Sequence, residues 1–303
     1  MAVSVPRKRA KVWDKWRKNL IAYSFVFPAA AIMILFVYLP VIMAFYLSLY
    51  DWDLINPKTF VALNNYGEVL SSPEFYKALK NTLYFVAVQM SLDFVLSLGI
   101  AVLLNQKIRG LSFYRTLFFS PVVTPMVAVS AVWMWLYDPF NGLFNYVLEK
   151  IGLSPIGWLN SPNWAMPAVI LMSVWKGLGY NIVIFLAGLQ GIPIEFYEAA
   201  AIDGANSWKQ FRHVTLPLLS PTMYFVLIMG IINSFKVFTQ IDVMTPGGGP
   251  LKSTMVLVYL IYTKAFNSFR FGIASTLSVI LFLIILTITI FQRTVVEKRV
   301  HYS

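Results

Sequence analysis

The chain has 303 residues, 58% of them hydrophobic and only 12% charged, with a formal net charge of +11. That balance excludes an ordinary soluble domain. The absence of cysteine excludes disulfides and thiolate metal sites, and two distant histidines, His213 and His301, leave no basis for a metal centre.

In chain order, a basic segment over residues 1–20 precedes a first apolar run at Ile21–Leu49, too long and too poor in small residues at its end for a cleaved leader. It is expected to be an uncleaved membrane span, since crossing a hydrocarbon core takes roughly 20 helical residues. A polar loop at Tyr50–Asn81 should fold over the outer face. Span two, Thr82–Leu104, carries Gln89, Asp93 and Ser97 as a polar stripe at helical spacing. Span three, Thr116–Leu136, contains Pro121 and Pro125, which remove backbone donors and should kink it. Trp133 and Trp135 near its end are read as interface anchors. A second outer loop at 137–164 leads to span four, Ala165–Leu189. The polar insert at 190–221 follows, then span five at Thr222–Ile241. Thr245-Pro246-Gly247-Gly248-Gly249-Pro250 is a tight turn, and the short apolar stretch Ser253–Phe266 is expected along or dipping into the interface. Span six is Gly272–Phe291, with a tail at 293–303. Spanning helices satisfy their own backbone hydrogen bonds, so the expected fold is all-α, a polytopic membrane protein whose domain covers 21–292.

The basic residues cluster by side. Arg7, Lys8, Arg9, Lys11, Lys15, Arg17 and Lys18 precede span one; Lys107, Arg109 and Arg115 follow span two; Arg293, Lys298 and Arg299 follow span six. The loops after spans one and three hold only Lys58, Lys77 and Lys80, and Lys150. The positive-inside rule then places both termini and the insert in the cytoplasm. The charge is a topology signal, and no nucleic acid is expected as a partner.

Within the insert, Pro193 suits a first helical turn, and Glu195 and Glu198 complement the dipole of a helix starting there. Ala199, Ala200 and Ala201 permit close helix approach, Gly204 permits a sharp turn, and a second short helix should stop before Pro217. Spacing alone also allows an ordinary helix–turn–helix connection.

Glu198-Ala199-Ala200, three residues, Gly204, nine residues, Val214, one residue, and Leu216-Pro217 resemble the coupling loop of binding-protein-dependent ABC importers. Val214 stands where that motif has isoleucine, a conservative change. Over most of its length the chain resembles sugar-permease subunits of the maltose and glycerol-3-phosphate uptake type, with Ile192-Pro193 ahead of the insert and a Gly-Gly-Pro after span five. That Gly-Gly-Pro is more typical of the maltose-type "F" permease than of its "G" partner. The resemblance implies six spans in the type I importer fold, in a bacterial or archaeal cell (inner) membrane. It implies that Glu198, Ala199, Ala200, Gly204, Leu216 and Pro217 dock into a cleft on a cytoplasmic ATPase dimer. It also implies a second homologous permease and an extracellular or periplasmic solute-binding protein as partners, with lipid around the bundle. No G-x-x-x-x-G-K-[ST] phosphate loop occurs in the chain. ATP and its magnesium are therefore expected on the ATPase, no cofactor on this chain, and no catalytic residue in it.

Two polar stripes mark a candidate pathway. Ser173, Lys176, Gly177 and Tyr180 share one helix face in span four, and Asn233, Lys236 and Gln240 do so in span five, beside Ser234. Hydroxyls, amides and the aromatic faces of Tyr180 and Trp175 suit a sugar or polyol, and permeases of the resembled type bind sugar at roughly these positions. Other readings stay open: Lys176 pairing with Asp93, Lys236 snorkelling to the interface, Gly177 as a packing residue, and Gln89, Asp93 and Ser97 as structural hydrogen bonding. An ion-gradient transporter is the alternative function. Asp93 alone among mid-membrane carboxylates and the lack of an inverted repeat weigh against it.

Overall fold

The computed structural model describes residues 8–106 and 109–297; Arg7, Lys107, Lys298, Arg299 and His301 lie outside them. Helix α1 (Lys8–Met33) passes through a π turn at Ile34–Tyr38 into α2 (Leu39–Leu47). The same device recurs in the insert, where α9 (Ile194–Ile202) is followed by α10 (Ser207–Gln210), a π turn at Phe211–Thr215 and α11 (Leu216–Phe235). Both of these π turns directly precede a Leu-Pro pair, Leu39-Pro40 or Leu216-Pro217, whereas two further π turns, at Thr263–Asn267 and Gln292–Val296, have no proline after them. A proline inside a helix lacks a donor and drives its ring at the carbonyl four residues earlier; widening the preceding turn relieves both problems. The insert's second helix therefore does not stop before Pro217, as expected from the sequence. It continues into span five as one 29-residue helix, Ser207–Phe235.

Between these elements lie a short antiparallel pair, β1 (Tyr50–Asp51) with β2 (Thr59–Phe60), then α3 (Asn64–Ser71) and α4 (Pro73–Leu104). Span two thus begins nine residues before Thr82, because Pro73 is well suited to a first helical turn and nothing between interrupts the helix. Span three is not one kinked helix. It breaks into α5 (Leu111–Val123) and α6 (Met126–Leu136), bent by 101°. Pro125 pushes the preceding Thr124 into an extended conformation, φ −77° and ψ 136°, which no helix can continue through. After α7 (Leu143–Lys150), α8 (Ala165–Gln190) runs as expected for span four. Span five ends at Phe235 rather than Ile241, and a bend leads into the short α12 (Thr239–Met244). Then come α13 (Leu257–Tyr262) and α14 (Phe271–Phe291), with the long helix of span six reaching Val295. Among the described residues, five helices are long and apolar enough to cross a membrane, six when the bent pair counts as one.

Helices α4 and α8 form the central pair, flanked by α5 and α11, with α14 resting on α2 and α13. Two apolar clusters fill the bundle. One, towards the end opposite the insert, joins Phe85, Val129, Trp133, Tyr137, Met172, Phe235 and Leu257. The other, on the insert side, joins Met90, Leu104, Phe185, Leu189, Leu219 and Val226. Trp133 is only 7% exposed, with its ring 5.5 Å from those of Tyr137 and Trp175, so it is a core residue and not an interface anchor; Trp135, at 65%, stays outside. The stretch Ser253–Phe266 is likewise drawn inward. Val256 and Leu257 are fully buried, and the Leu257 amide donates to Thr82 Oγ1 at 2.9 Å.

At the end opposite the insert, ion pairs tie the loops to the bundle. Glu74 accepts from Lys252 at 2.5 Å and Lys264 at 2.8 Å, and Arg270 forks onto both oxygens of Glu68. That guanidinium holds the Glu68 carboxyl below the usual carboxylate range. Lys77 donates to the Leu251 carbonyl and Asn81 to that of Met255, pinning the glycine-rich turn onto the start of α4.

Candidate functional site

The two apolar clusters are separated by a layer of polar side chains, and the layer opens into a cavity of about 280 Å³. Helix α4 contributes Gln89 and Asp93, α8 contributes Ser173, Lys176, Gly177, Tyr180 and Asn181, α11 contributes Asn233 and Ser234, and α12 contributes Gln240. These positions follow from helical spacing. Residues 173, 176, 177, 180 and 181 form one continuous stripe, which faces the cavity.

Most of the buried polar atoms here are satisfied in pairs across helices. Ser234 donates to Gln89 Oε1, and Gln240 Nε2 donates to Ser173 Oγ at 3.3 Å. Asn181 Nδ2 donates to Asp93 Oδ2 at 2.8 Å. Lys176 does not pair with Asp93. Its ammonium donates to the carbonyls of Pro121, Val122 and Thr124, at 3.0, 3.3 and 2.8 Å. Those carbonyls lie at the C-terminal end of α5 and the break, where helical N–H donors run out and the helix dipole is negative; the Pro121 carbonyl also accepts from the Thr124 amide at 3.3 Å. The broken span created a stronger claim on the cation than the carboxylate did. Gly177 is a close-packing residue, since a Cβ there would meet Asp93 Oδ2 of α4 at 3.2 Å, and it lines the cavity as well.

Of the expected pathway residues, Ser173, Lys176, Gly177, Tyr180, Asn233, Ser234 and Gln240 line this cavity. Lys236 does not. The helix ends at Phe235, so the spacing that grouped it with Asn233 and Gln240 breaks there, and Lys236 is exposed outside the lining. Gln240 still reaches the cavity, from the separate α12. Trp175 faces Trp133 and is not part of the lining. Asn181 was missed although it extends the span-four stripe by one place, and Gln89 and Asp93, read as structural, line the cavity too.

The insert forms a helix–turn–helix. Pro193 is the cap of α9 rather than a residue of its first turn, and Glu195 stands in that turn. Gly204 has φ +77°, a left-handed turn closed by the Ala205 amide donating to the Ala200 carbonyl at 2.9 Å. Asn206 then caps α10 by accepting from the Lys209 amide. The hydroxyls of Tyr197 and Thr215 meet at 3.1 Å and tie the two arms together. Glu198, Ala199 and Gly204 are exposed, Ala200, Leu216 and Pro217 half-buried, and Ile202 is 87% and Trp208 66% exposed. Among the described residues no group of histidine and carboxylate side chains could hold a metal.

A polar cavity between spanning helices, a broken span beside it and an exposed helical insert define the membrane component of a solute transporter. The chain belongs to the family of binding-protein-dependent transport system inner membrane components, matched over residues 93–302. The trehalose/maltose transport system permease protein MalF of Thermococcus litoralis is 36% identical over 91% of this chain and 93% of that protein. The sn-glycerol-3-phosphate transport system permease protein UgpA of Brucella abortus is 37% identical over 94% of this chain and 97% of that one. Among solved structures, a bacterial ABC transporter involved in import of the acidic polysaccharide alginate shares the fold, with a TM-score of 0.83 over 95% of this chain and 99% of that one, at 23% identity. The chain is thus an ABC importer permease, and the ion-gradient alternative is set aside.

Proposed function

We propose that this chain forms a translocation path for a carbohydrate, a related polyol or a polyol phosphate, together with a second homologous permease. The cavity between α4, α8, α11 and α12 carries the reading, because its hydroxyls and amides suit a polyhydroxylated solute and three of its four walls belong to the spanning helices α4, α8 and α11. The names of relatives similar over most of their length agree with that chemistry. In this reading both termini and the insert are cytoplasmic, and a solute-binding protein delivers to the loops at the opposite end. The exposed face of α9 and α10 docks on an ATPase dimer that holds ATP and magnesium, and Glu198 meets a basic group there. This chain hydrolyses nothing itself.

The reading is tested on the complex assembled with its ATPase. Glu198→Lys or Gly204→Asp should leave the chain in the membrane but reduce ATPase retention and solute-stimulated hydrolysis. Normal stimulated hydrolysis in both variants would remove the docking role from the insert.

A further inference from the structure

Asp93 is 3% exposed, and only its Oδ2 is satisfied, by Asn181. Oδ1 has no hydrogen-bond partner. Among the described residues no cationic nitrogen lies within 4.0 Å of either oxygen. A buried carboxylate with one hydrogen bond and no counter-ion is costly unless a further donor reaches it. The cation that lines the same cavity cannot serve, since an ammonium has three donors and Lys176 makes three bonds to the α5 carbonyls. The other polar lining groups, among them Gln89, Tyr180, Asn233 and Gln240, are neutral amides and hydroxyls. The space beside Gly177 is the approach. The point where a Cβ would sit lies 3.2 Å from Oδ2 and 3.8 Å from the enclosed Oδ1, so a solute atom resting on this glycine is in hydrogen-bond reach of Oδ2, whose second lone pair is free.

We infer that Asp93 is a specificity-determining residue that accepts hydroxyl groups of the solute beside Gly177. The cavity therefore takes neutral polyhydroxylated molecules and disfavours those bearing phosphate or carboxylate. The inference rests on the carbohydrate or polyol reading and narrows it. A sugar hydroxyl supplies Asp93 Oδ2 with a second donor beside that of Asn181. A phosphate brings acceptors and negative charge to a carboxylate, with no uncommitted cation in the lining to offset them.

The test uses the complete transporter in lipid nanodiscs without its binding protein, and reads weak binding by saturation-transfer NMR. The probes are maltose, trehalose and sn-glycerol 3-phosphate. The neutral disaccharides should bind more tightly than the phosphate by about fivefold or more, the size of one net hydrogen bond. Asp93→Asn should weaken the disaccharides by about that factor while strengthening the phosphate. Gly177→Ala, which fills the approach and leaves the charge in place, should also weaken the disaccharides, and it serves where Asp93→Asn fails to assemble. Tighter binding of sn-glycerol 3-phosphate by the unaltered transporter overturns the inference and leaves the importer reading intact. So does undiminished disaccharide binding in either variant, or a parallel fall for all probes in Asp93→Asn. Binding of none of the probes overturns the carbohydrate reading itself, and this inference with it.

Discussion

Replacing Lys176 by methionine removes the ammonium that holds the broken span and keeps the length of the side chain. Three charge-assisted hydrogen bonds are lost, at 2.8, 3.0 and 3.3 Å. Hydrogen bonds to charged groups contribute about 1.5–3 kcal/mol each. The longest of the three is weak, and Lys176 is only half-buried, so water replaces part of the loss. The expected destabilisation is about 2–4 kcal/mol, read as a shift in the denaturant midpoint of the purified chain in detergent. Trp133 and Trp175, with ring centroids 5.5 Å apart and planes tilted by 54°, give a fluorescence signal for the transition. Lys176→Arg should retain most of the stability, because a guanidinium can still donate to several carbonyls. The decisive comparison is Lys176→Met with Asp93→Asn added. If the lysine serves the α5 carbonyls, the two changes couple by less than about 1 kcal/mol; a true ion pair would show a rescue of several kcal/mol. Restoration of stability and uptake in the double variant would refute the assignment of Lys176 to the break.

Tyr180→Ala and Asn233→Ala should each reduce uptake by about two- to tenfold, one net hydrogen bond apiece, without lowering membrane level or basal ATP hydrolysis. Cysteine labels placed one at a time in this cysteine-free chain should be reachable from outside intact cells at Ser71 and Ser161 and unreachable at Ser207; external labelling at 207 would overturn the orientation. The Glu68–Arg270 pair gives a pH signature. Because Arg270 lowers the Glu68 value in the folded state, its contribution is full above the unfolded value of about 4.3 and is lost as pH falls through the lower folded value. Both side chains are well exposed, so the effect should stay below about 1 kcal/mol, and Glu68→Gln should flatten that part of the profile of melting temperature against pH.

Helix existence was legible wherever periodicity and apolar length agreed, as in span four, which the sequence places within one residue of its observed end. The insert was legible as a helix–turn–helix because Gly204 and the charges around it speak through local rules. Proline was read correctly as a disturbance but wrongly in degree. At Pro125 the preceding residue left the helix altogether, and at Pro217 a widened turn absorbed the ring and the helix went on. The local rules for proline permit both a break and a widened turn, and do not say which a given proline takes. Lys236 was lost from the site because a helical stripe holds only as far as the helix does. The partner of Lys176 could not be read because the competing acceptors are backbone carbonyls, which exist only once the break exists. Trp133 was misplaced because sequence cannot tell a tryptophan facing lipid from one turned onto Tyr137.

The π turn at Phe211–Thr215 makes a single rod of the exposed α10 and the spanning α11, 29 residues from Ser207 to Phe235. At 1.5 Å per residue that rod is about 43 Å long, and tilting it by about 10° about one end swings the other through about 7 Å. Ser207 stands at one end, and Asn233 and Ser234, which line the cavity, stand at the other. A flexible joint after the insert would dissipate a push in local bending. In the docking role proposed for the insert, it is the handle of a lever whose far arm is one wall of the cavity, and the widened turn is the place where a change in stiffness would decouple them.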